Sequence, residues 1–237
     1  MSDGAGIAAA SMRAQAAQLE VVSANLVNIN TPGYKRQVPD ASYSFANLLN
    51  ANLPVAPAAG IDLRPGPLRN TGNALDLAIE GDAFFELQLG TRSVYTRQGN
   101  FVLDAQGRLQ APDGALVQGV AGDIKLESTQ PRIDAQGRVF EGDTQVGQLK
   151  LTRFDRPSRL RPLDNGRFLQ GDAQLAPSGV DGGHANVRQG FLESSNVVPA
   201  EEMIKLMQTV RQFDSGQRVI LWFGDMHDQV QQRLGQF

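Results

Sequence analysis

Residues able to do chemistry are sparse in this chain, and their spacing assembles no recognised site. Its two histidines stand far apart, His184 in a Gly-rich stretch and His227 on a helical pattern. A metal centre or a Ser–His–Asp triad built on them has no local basis, and His227 is read as a packed or interfacial residue. Cys is absent, which removes thiolate ligands, disulfides and Cys nucleophiles. Glu80 and Asp82 form a carboxylate pair, but among 25 acidic residues a pair at a strand end is expected to be solvated surface. Asp104-Ala105-Gln106-Gly107-Arg108-Leu109 recurs as Asp134-Ala135-Gln136-Gly137-Arg138-Val139, with a shorter relative at Asp164-Asn165-Gly166-Arg167-Phe168. A calcium loop needs alternating carboxylates and a downstream Glu, which these lack. Asp and Gly between apolar runs instead suit hairpin turns.

Aromatic and basic groups point the same way. Trp222-Phe223 has the form of a platform for a base or sugar, yet on a helix that also carries Phe213 and Ile220 it reads as packing surface. Tyr34-Lys35-Arg36 is too short for a nucleic-acid patch, and a net charge of −3 supplies no basic field. No P-loop, Rossmann fingerprint, HExxH or GxSxG occurs in the sequence. The expectation is a protein that is not an enzyme and takes no cofactor and no metal.

The elements that position these residues are clearer. With 237 residues, 41% hydrophobic and 20% charged, the chain has enough material for a real core. No run approaches the roughly 18 apolar residues of a membrane helix. The Ala-rich run near the N-terminus has no basic region before it and is followed by Arg13, so it is not read as a secretory signal. Met12, Leu19 and Leu26 recur every seven residues, with Val22 and Ile29 beside them, until Thr31-Pro32-Gly33 stops the helix in a turn. Such a helix either lies on its own domain's core or forms a helix-to-helix seam, and the heptad spacing favours the seam. At the other end Leu206, Phe213 and Ile220 repeat every seven residues beside Met203 and Val210, after Pro199 and Glu201-Glu202 suited to a first turn.

Between the helical ends the periodicity changes. Residues 36–75 are interrupted by Pro39, Pro54, Pro57, Pro65 and Pro67 and read as an extended linker. Residues 76–193 carry alternating strands such as Ala74–Ile79 and Ala83–Leu87, and read as an antiparallel β domain. The fold class is therefore α+β. Residues 1–35 and 194–237 are expected to pair as a coiled-coil-like helical domain, with the β domain between them in sequence.

The motifs also carry a resemblance. Ser23-Ala24-Asn25-Leu26-Val27-Asn28 and Asn30-Thr31-Pro32-Gly33-Tyr34-Lys35-Arg36 resemble the N-terminal motif of bacterial flagellar rod and hook proteins. Gln189-Gly190-Phe191-Leu192-Glu193-Ser194-Ser195-Asn196-Val197, Glu202-Met203 and Arg211-Gln212-Phe213 resemble their C-terminal motif. Gly72–Phe85 and Tyr95–Phe101 resemble the segments that open their β domain. Ala83 stands where a Gly is common before the Phe pair. Within the family, the compact length, Arg64-Pro65-Gly66-Pro67-Leu68 and Val146–Leu149 leading to Arg153-Phe154 most resemble FlgF-type proximal rod proteins, with the FlgG-type distal subunit as the alternative.

The resemblance implies a structural subunit of the periplasmic basal-body rod, exported by the flagellar type III apparatus. Its partners would be copies of itself and other axial proteins, with no nucleic acid and no direct membrane insertion. The expected assembly interface comprises Met12, Leu19, Val22, Asn25, Leu26, Asn28 and Ile29, then Thr31, Pro32, Gly33 and Tyr34. At the other end it comprises Asn196, Val197, Met203, Leu206, Val210, Phe213 and Ile220. A different class stays open beside it: an oligomeric β domain that recognises a ligand, with the helices serving to cluster it.

Overall fold

Ala, Gln and Leu dominate the N-terminal stretch, and no Pro or β-branched run opposes helix there. It forms α1, Ser2–Val27, in a computed structural model that describes residues 2–39, 59–163, 166–175 and 185–234. Side chains are described for residues 6, 11–38, 60–163, 166–175 and 185–222. The Asp164-Asn165 turn, the Gly179–Gly183 stretch, His184, residues 40–58 of the proline-rich linker and the side chains of Phe223 and His227 lie outside the described residues. The C-terminal pattern forms α2, Pro199–Leu234, with Pro199 opening it and Glu201 and Glu202 in its first turn. Neither Gly216 nor Gly224 breaks it. No helix among the described residues is long and apolar enough to cross a membrane.

The described residues divide into two units. The helical unit takes Met1–Val27, Gln37–Gly60 and Val198–Phe237; the β unit takes Asn28–Arg36 and Ile61–Val197. Of the stretch read as linker, Gln37–Pro39 pairs with Ala59–Ile61, while Leu68–Asn70 pairs with Phe191–Glu193 of the β unit.

Within the helical unit α1 and α2 pack along each other. They run antiparallel: Asn25 donates to Glu202 at 3.2 Å, and about four turns further along α2 Gly216 faces Met12 and Gln15. The α2 face turned to α1 follows an alternating three-and-four spacing through Glu202, Leu206, Thr209, Phe213, Gly216 and Ile220, the seam of a coiled-coil-like pair.

The β unit is antiparallel. Its main sheet runs Arg161–Leu163, Arg167–Leu169, Arg92–Thr96, Ala83–Leu89, Leu116–Gly119, Leu109–Gln110 and Val102–Leu103, with side pairings from Gly122–Asp123 and Leu151–Arg153. Phe84 and Phe85 are adjacent on one strand, so alternation sends them to opposite faces. Phe85 enters the larger core with Leu77, Leu87, Val94 and Phe101, its ring 5.1 Å from that of Phe101. Phe84 enters a second cluster with Tyr95, Phe154 and Phe168, edge-on to Phe154 at 5.9 Å and to Phe168 at 5.8 Å. Each buried Phe contributes about 1.5–3 kcal/mol from area alone.

The repeated Asp turns form as expected, and identically. Asp104 Oδ1 accepts from the backbone N–H of Gln106 and Arg108, and Oδ2 takes Arg108 Nε at 2.7 Å. Asp134 makes the same set with Gln136 and Arg138, at 2.6 Å to Arg138 Nε. Gly107 and Gly137 both take positive φ, +74° and +73°. Burial would push both carboxyls up, but donation from Arg108 and Gln106, and from Arg138 and Gln136, holds them below the usual range.

Candidate assembly site

The turn that ends α1 is built around Gly33. Thr31 N–H donates to Asn28 O, Tyr34 N–H donates to Thr31 O, and Gly33 takes φ +65°. A Cβ on Gly33 would stand 2.3 Å from the Arg97 carbonyl carbon, so glycine is required by approach as well as by conformation. Gly33 N–H donates to Glu193 O at 2.6 Å, fastening the turn to the strand that precedes α2.

Beside that contact lies a buried charged cluster within the β unit. Lys35 Nζ sits 2.5 Å from Glu193 Oε1, both side chains about 1% exposed. The same ammonium donates to Arg64 O at 2.9 Å, and Glu193 Oε1 also accepts Gly66 N–H at 2.9 Å. Arg97 Nη1 is 3.7 Å from Glu193 Oε2, too long for a hydrogen bond, while its guanidinium donates to Ile79 O and Gly81 O and lies 4.9 Å from the Phe84 ring centre. Burial lowers the pKa of Lys35, with the charge and hydrogen bond of Glu193 opposing the shift; Arg97 is lowered by burial too. Two cations thus share one carboxylate away from water.

Asn196 braces the same region. Its Oδ1 accepts Arg36 N–H at 2.7 Å, and its Nδ2 donates to Asp62 O and Arg64 O at 2.8 and 2.9 Å. Gly66 packs so closely that an added Cβ would meet Ser194 O at 1.9 Å. Asn28, Thr31 and Pro32 line a polar hollow of about 370 Å³ with Gln98, Asn100 and Arg167, the last ion-paired to Asp113.

In the helical unit, Asn25 is buried and bonds both backbone polar groups of Gln37, each at 2.8 Å, while also reaching Glu202. Glu202 is 1% exposed and takes Lys205 Nζ at 2.9 Å. Val22 is buried; Met12, Leu19, Leu26, Leu206, Phe213 and Ile220 are half-buried along the helix pair, and Ile29 is half-buried in the β unit. The seam is incomplete in polar terms: Gln15 Oε1 and Thr209 Oγ1 are buried with no hydrogen-bond partner among the described residues.

The other face of α2 is apolar and open. Met203 is 54% exposed, Ile204 51%, Met207 55% and Val210 41%. Val219, Leu221 and Trp222 continue the exposed apolar surface. The two heptad rows read from the sequence therefore separate: Leu206, Phe213 and Ile220 turn to α1, whereas Met203 and Val210 turn to solvent. Gly33, Tyr34, Asn196 and Val197, also expected at an interface, are engaged inside the β unit.

Sequence reasoning did not single out Glu193, Lys35, Arg97, Glu202, Thr209 or Gly216 as site residues. For the last three a signal existed, since they share the three-and-four register of Leu206, Phe213 and Ile220. The charged cluster's residues stand inside the motifs that carry the resemblance, but nothing in their spacing pairs them, since Lys35 and Glu193 are 158 positions apart.

Comparison with known proteins agrees with this architecture. Residues 7–35 match the family described as flagella basal body rod protein, residues 78–141 the flagellar hook protein FlgE/F/G D1 domain, and residues 188–233 the flagellar basal body rod FlgEFG protein C-terminal. The rod protein FlgG of Agrobacterium fabrum is 32% identical over 261 aligned positions, covering 96% of this chain and 98% of the relative. The rod protein FlgF of Caulobacter vibrioides is 29% identical over 231 positions, covering 92% of each. FlgF of Mesorhizobium japonicum is 27% identical over 248 positions, covering 99% of each. Of 237 residues, 96% is about 228, so the 261-position alignment holds about 33 gaps in this chain. By the same reckoning 92% is about 218 and 99% about 235, leaving about 13 gaps against each FlgF relative. The chain belongs to the FlgE/F/G family of flagellar basal-body rod proteins.

Proposed function

We propose that this chain, a structural and non-enzymatic subunit of the flagellar basal-body rod, is of the FlgF type and occupies the proximal rod. The gap count supports the finer reading. FlgG alignment needs about 33 inserted positions where FlgF alignment needs about 13, so the chain has FlgF-like length economy although its identity to FlgG is slightly higher. Export through the flagellar type III apparatus and assembly with other axial proteins follow from the family as part of the same proposal.

The observation that carries an assembly role is the open apolar face of α2. Met203, Ile204, Met207 and Val210 are each more than 40% exposed on a helix whose opposite face is already paired. Soluble monomers rarely keep a contiguous apolar patch of this kind without a partner to cover it. Packing against neighbouring subunits would bury it at about 25 cal/mol per Å². Met203 and Val210 thus act between subunits, while Leu206, Phe213 and Ile220 hold the helix pair that presents them.

The test is deletion of the gene, with basal bodies imaged by electron cryotomography. Expected is a rod stub lacking its distal segment, and restoration by the native gene. Met207→Asp should fail to restore the rod while its purified chain keeps the native hydrogen-exchange pattern in the strands. A stub that already contains the full proximal rod would transfer the assignment to FlgG; complete rods on motile cells would remove the rod role.

A further inference from the structure

The three-stranded sheet of the β unit has one face in the core and one in water. Its strands are Arg132–Ile133, Arg138–Glu141 and Thr144–Gln148. Ile133 and Val139 point inward and join the main core. Arg132 pairs across to Phe140, and Arg138 is two residues before Phe140, so all three share the outer face. Gln145, opposite Phe140, lies on it too.

This face is preorganised. The Arg132 guanidinium lies 4.3 Å from the centre of the Phe140 ring, and that of Arg138 lies 5.9 Å from it. The two cations differ in a decisive way. Arg138 is neutralised by Asp134 at 2.6 Å. Arg132 is exposed and has no carboxylate partner among the described residues. A guanidinium resting over an aromatic ring can still offer N–H donors to a carboxylate and has already lost part of its rotamer freedom. The β unit also displays carboxylates without an ion-pair partner among the described residues: Glu127 and Asp143 are both exposed. Exposed charges of both signs on one repeating subunit supply charge complementarity for a head-to-tail contact between copies.

We propose that the Arg132–Phe140–Arg138 face docks a carboxylate-bearing segment of the β unit of a second copy of this chain. The proposal rests on the rod reading, because it needs copies placed side by side. It adds a charge-assisted contact between β units to the apolar contacts of the helices, and makes Arg132 the residue that sets their register.

The test uses the full chain in its own cells, with the photo-crosslinking residue p-benzoylphenylalanine in place of Gln145. Basal bodies are purified, and crosslinked peptides are mapped by mass spectrometry. Expected is a crosslink from Gln145 to an Asp- or Glu-containing peptide of another copy. Arg132→Glu should reduce its yield about tenfold, the scale of a charge-assisted contact, and Arg132→Lys should fall between. Basal bodies that contain the chain but give no such crosslink, give one insensitive to Arg132→Glu, or give one only to a different protein overturn this proposal and leave the rod reading standing. Absence of the chain from basal bodies overturns both.

Discussion

The β unit and the helical unit solve burial in opposite ways. In the β unit the apolar side chains find one another: Leu77, Phe85, Leu87 and Val94 have no exposed surface, and Lys35 and Gly66 bond Glu193 Oε1, although Glu193 Oε2 is buried with no hydrogen-bond partner among the described residues. In the helical unit the buried seam mixes Val22 with Asn25, Glu202 and Thr209, while Met203, Ile204, Met207 and Val210 stand in water. One unit keeps its apolar side chains in its own core; the other leaves apolar area exposed on one face of α2.

The sharpest way to break that contrast is to damage the complete core. Phe85→Ala should cost about 3–5 kcal/mol, because a fully buried ring is replaced by a cavity. Hydrogen exchange followed by mass spectrometry should show the loss in Ala83–Leu89 and its partner strands. Protection there at the native level would mean that the β unit does not depend on this core.

Next in size is the charged cluster. Glu193→Gln keeps an acceptor for Gly66 but removes the carboxylate that Lys35 and Arg97 share, leaving only the weaker pull of Asp62 on Lys35 and of Asp82 on Arg97. Stranding buried cations should cost about 3–5 kcal/mol by urea unfolding, toward the lower figure where water reaches the site. Adding Lys35→Met should recover part of that loss, so that the double variant is more stable than the single effects summed. Simple additivity would show that Lys35 and Glu193 are neighbours without being coupled.

A smaller effect is expected at the helix seam. At Gly216 an added Cβ would stand 3.3 Å from Met12 Cγ, so Gly216→Val pushes the helices apart at about 1–3 kcal/mol. Exchange in α1 and α2 should rise while the strands stay protected. Equal loosening of the strands would contradict a seam-specific cost.

The smallest effect is a pH dependence that reads the cluster directly. Burial lowers the pKa of Lys35 in the folded chain relative to the unfolded one. Below the folded value Lys35 is charged in both states and its burial penalty is fully felt. Between the folded value and the ordinary lysine range the unfolded chain binds more proton, so stability rises with pH by at most about 1.4 kcal/mol per unit. The native chain should therefore gain on Lys35→Met as pH climbs toward that range; a constant difference would exclude the shift. Asp104 and Asp134 act at the other end, since their lowered values stabilise the fold above the usual carboxylate range and that stability fades as pH falls.

Local rules made much of this molecule legible in its sequence. The heptads Met12–Leu19–Leu26 and Leu206–Phe213–Ile220 mark two helices, Pro32-Gly33 marks where the first stops, and the repeated Asp-Ala-Gln-Gly-Arg units mark two turns of the same construction. The Phe84-Phe85 pair sits on a strand in which alternation alone sends each ring to its own cluster. These features depend on neighbours within about seven positions, so residue type and spacing determine them. Tertiary structure alone decided which heptad row is covered and which is open, since Met203 and Leu206 are equally apolar and only the position of α1 separates them. It alone brought Lys35, Arg97 and Glu193 together, since no local pattern records that charges so distant in sequence will share one buried site. The identity of each side chain is written in the sequence, but its partner is set by the packing of segments that meet only after the chain has folded.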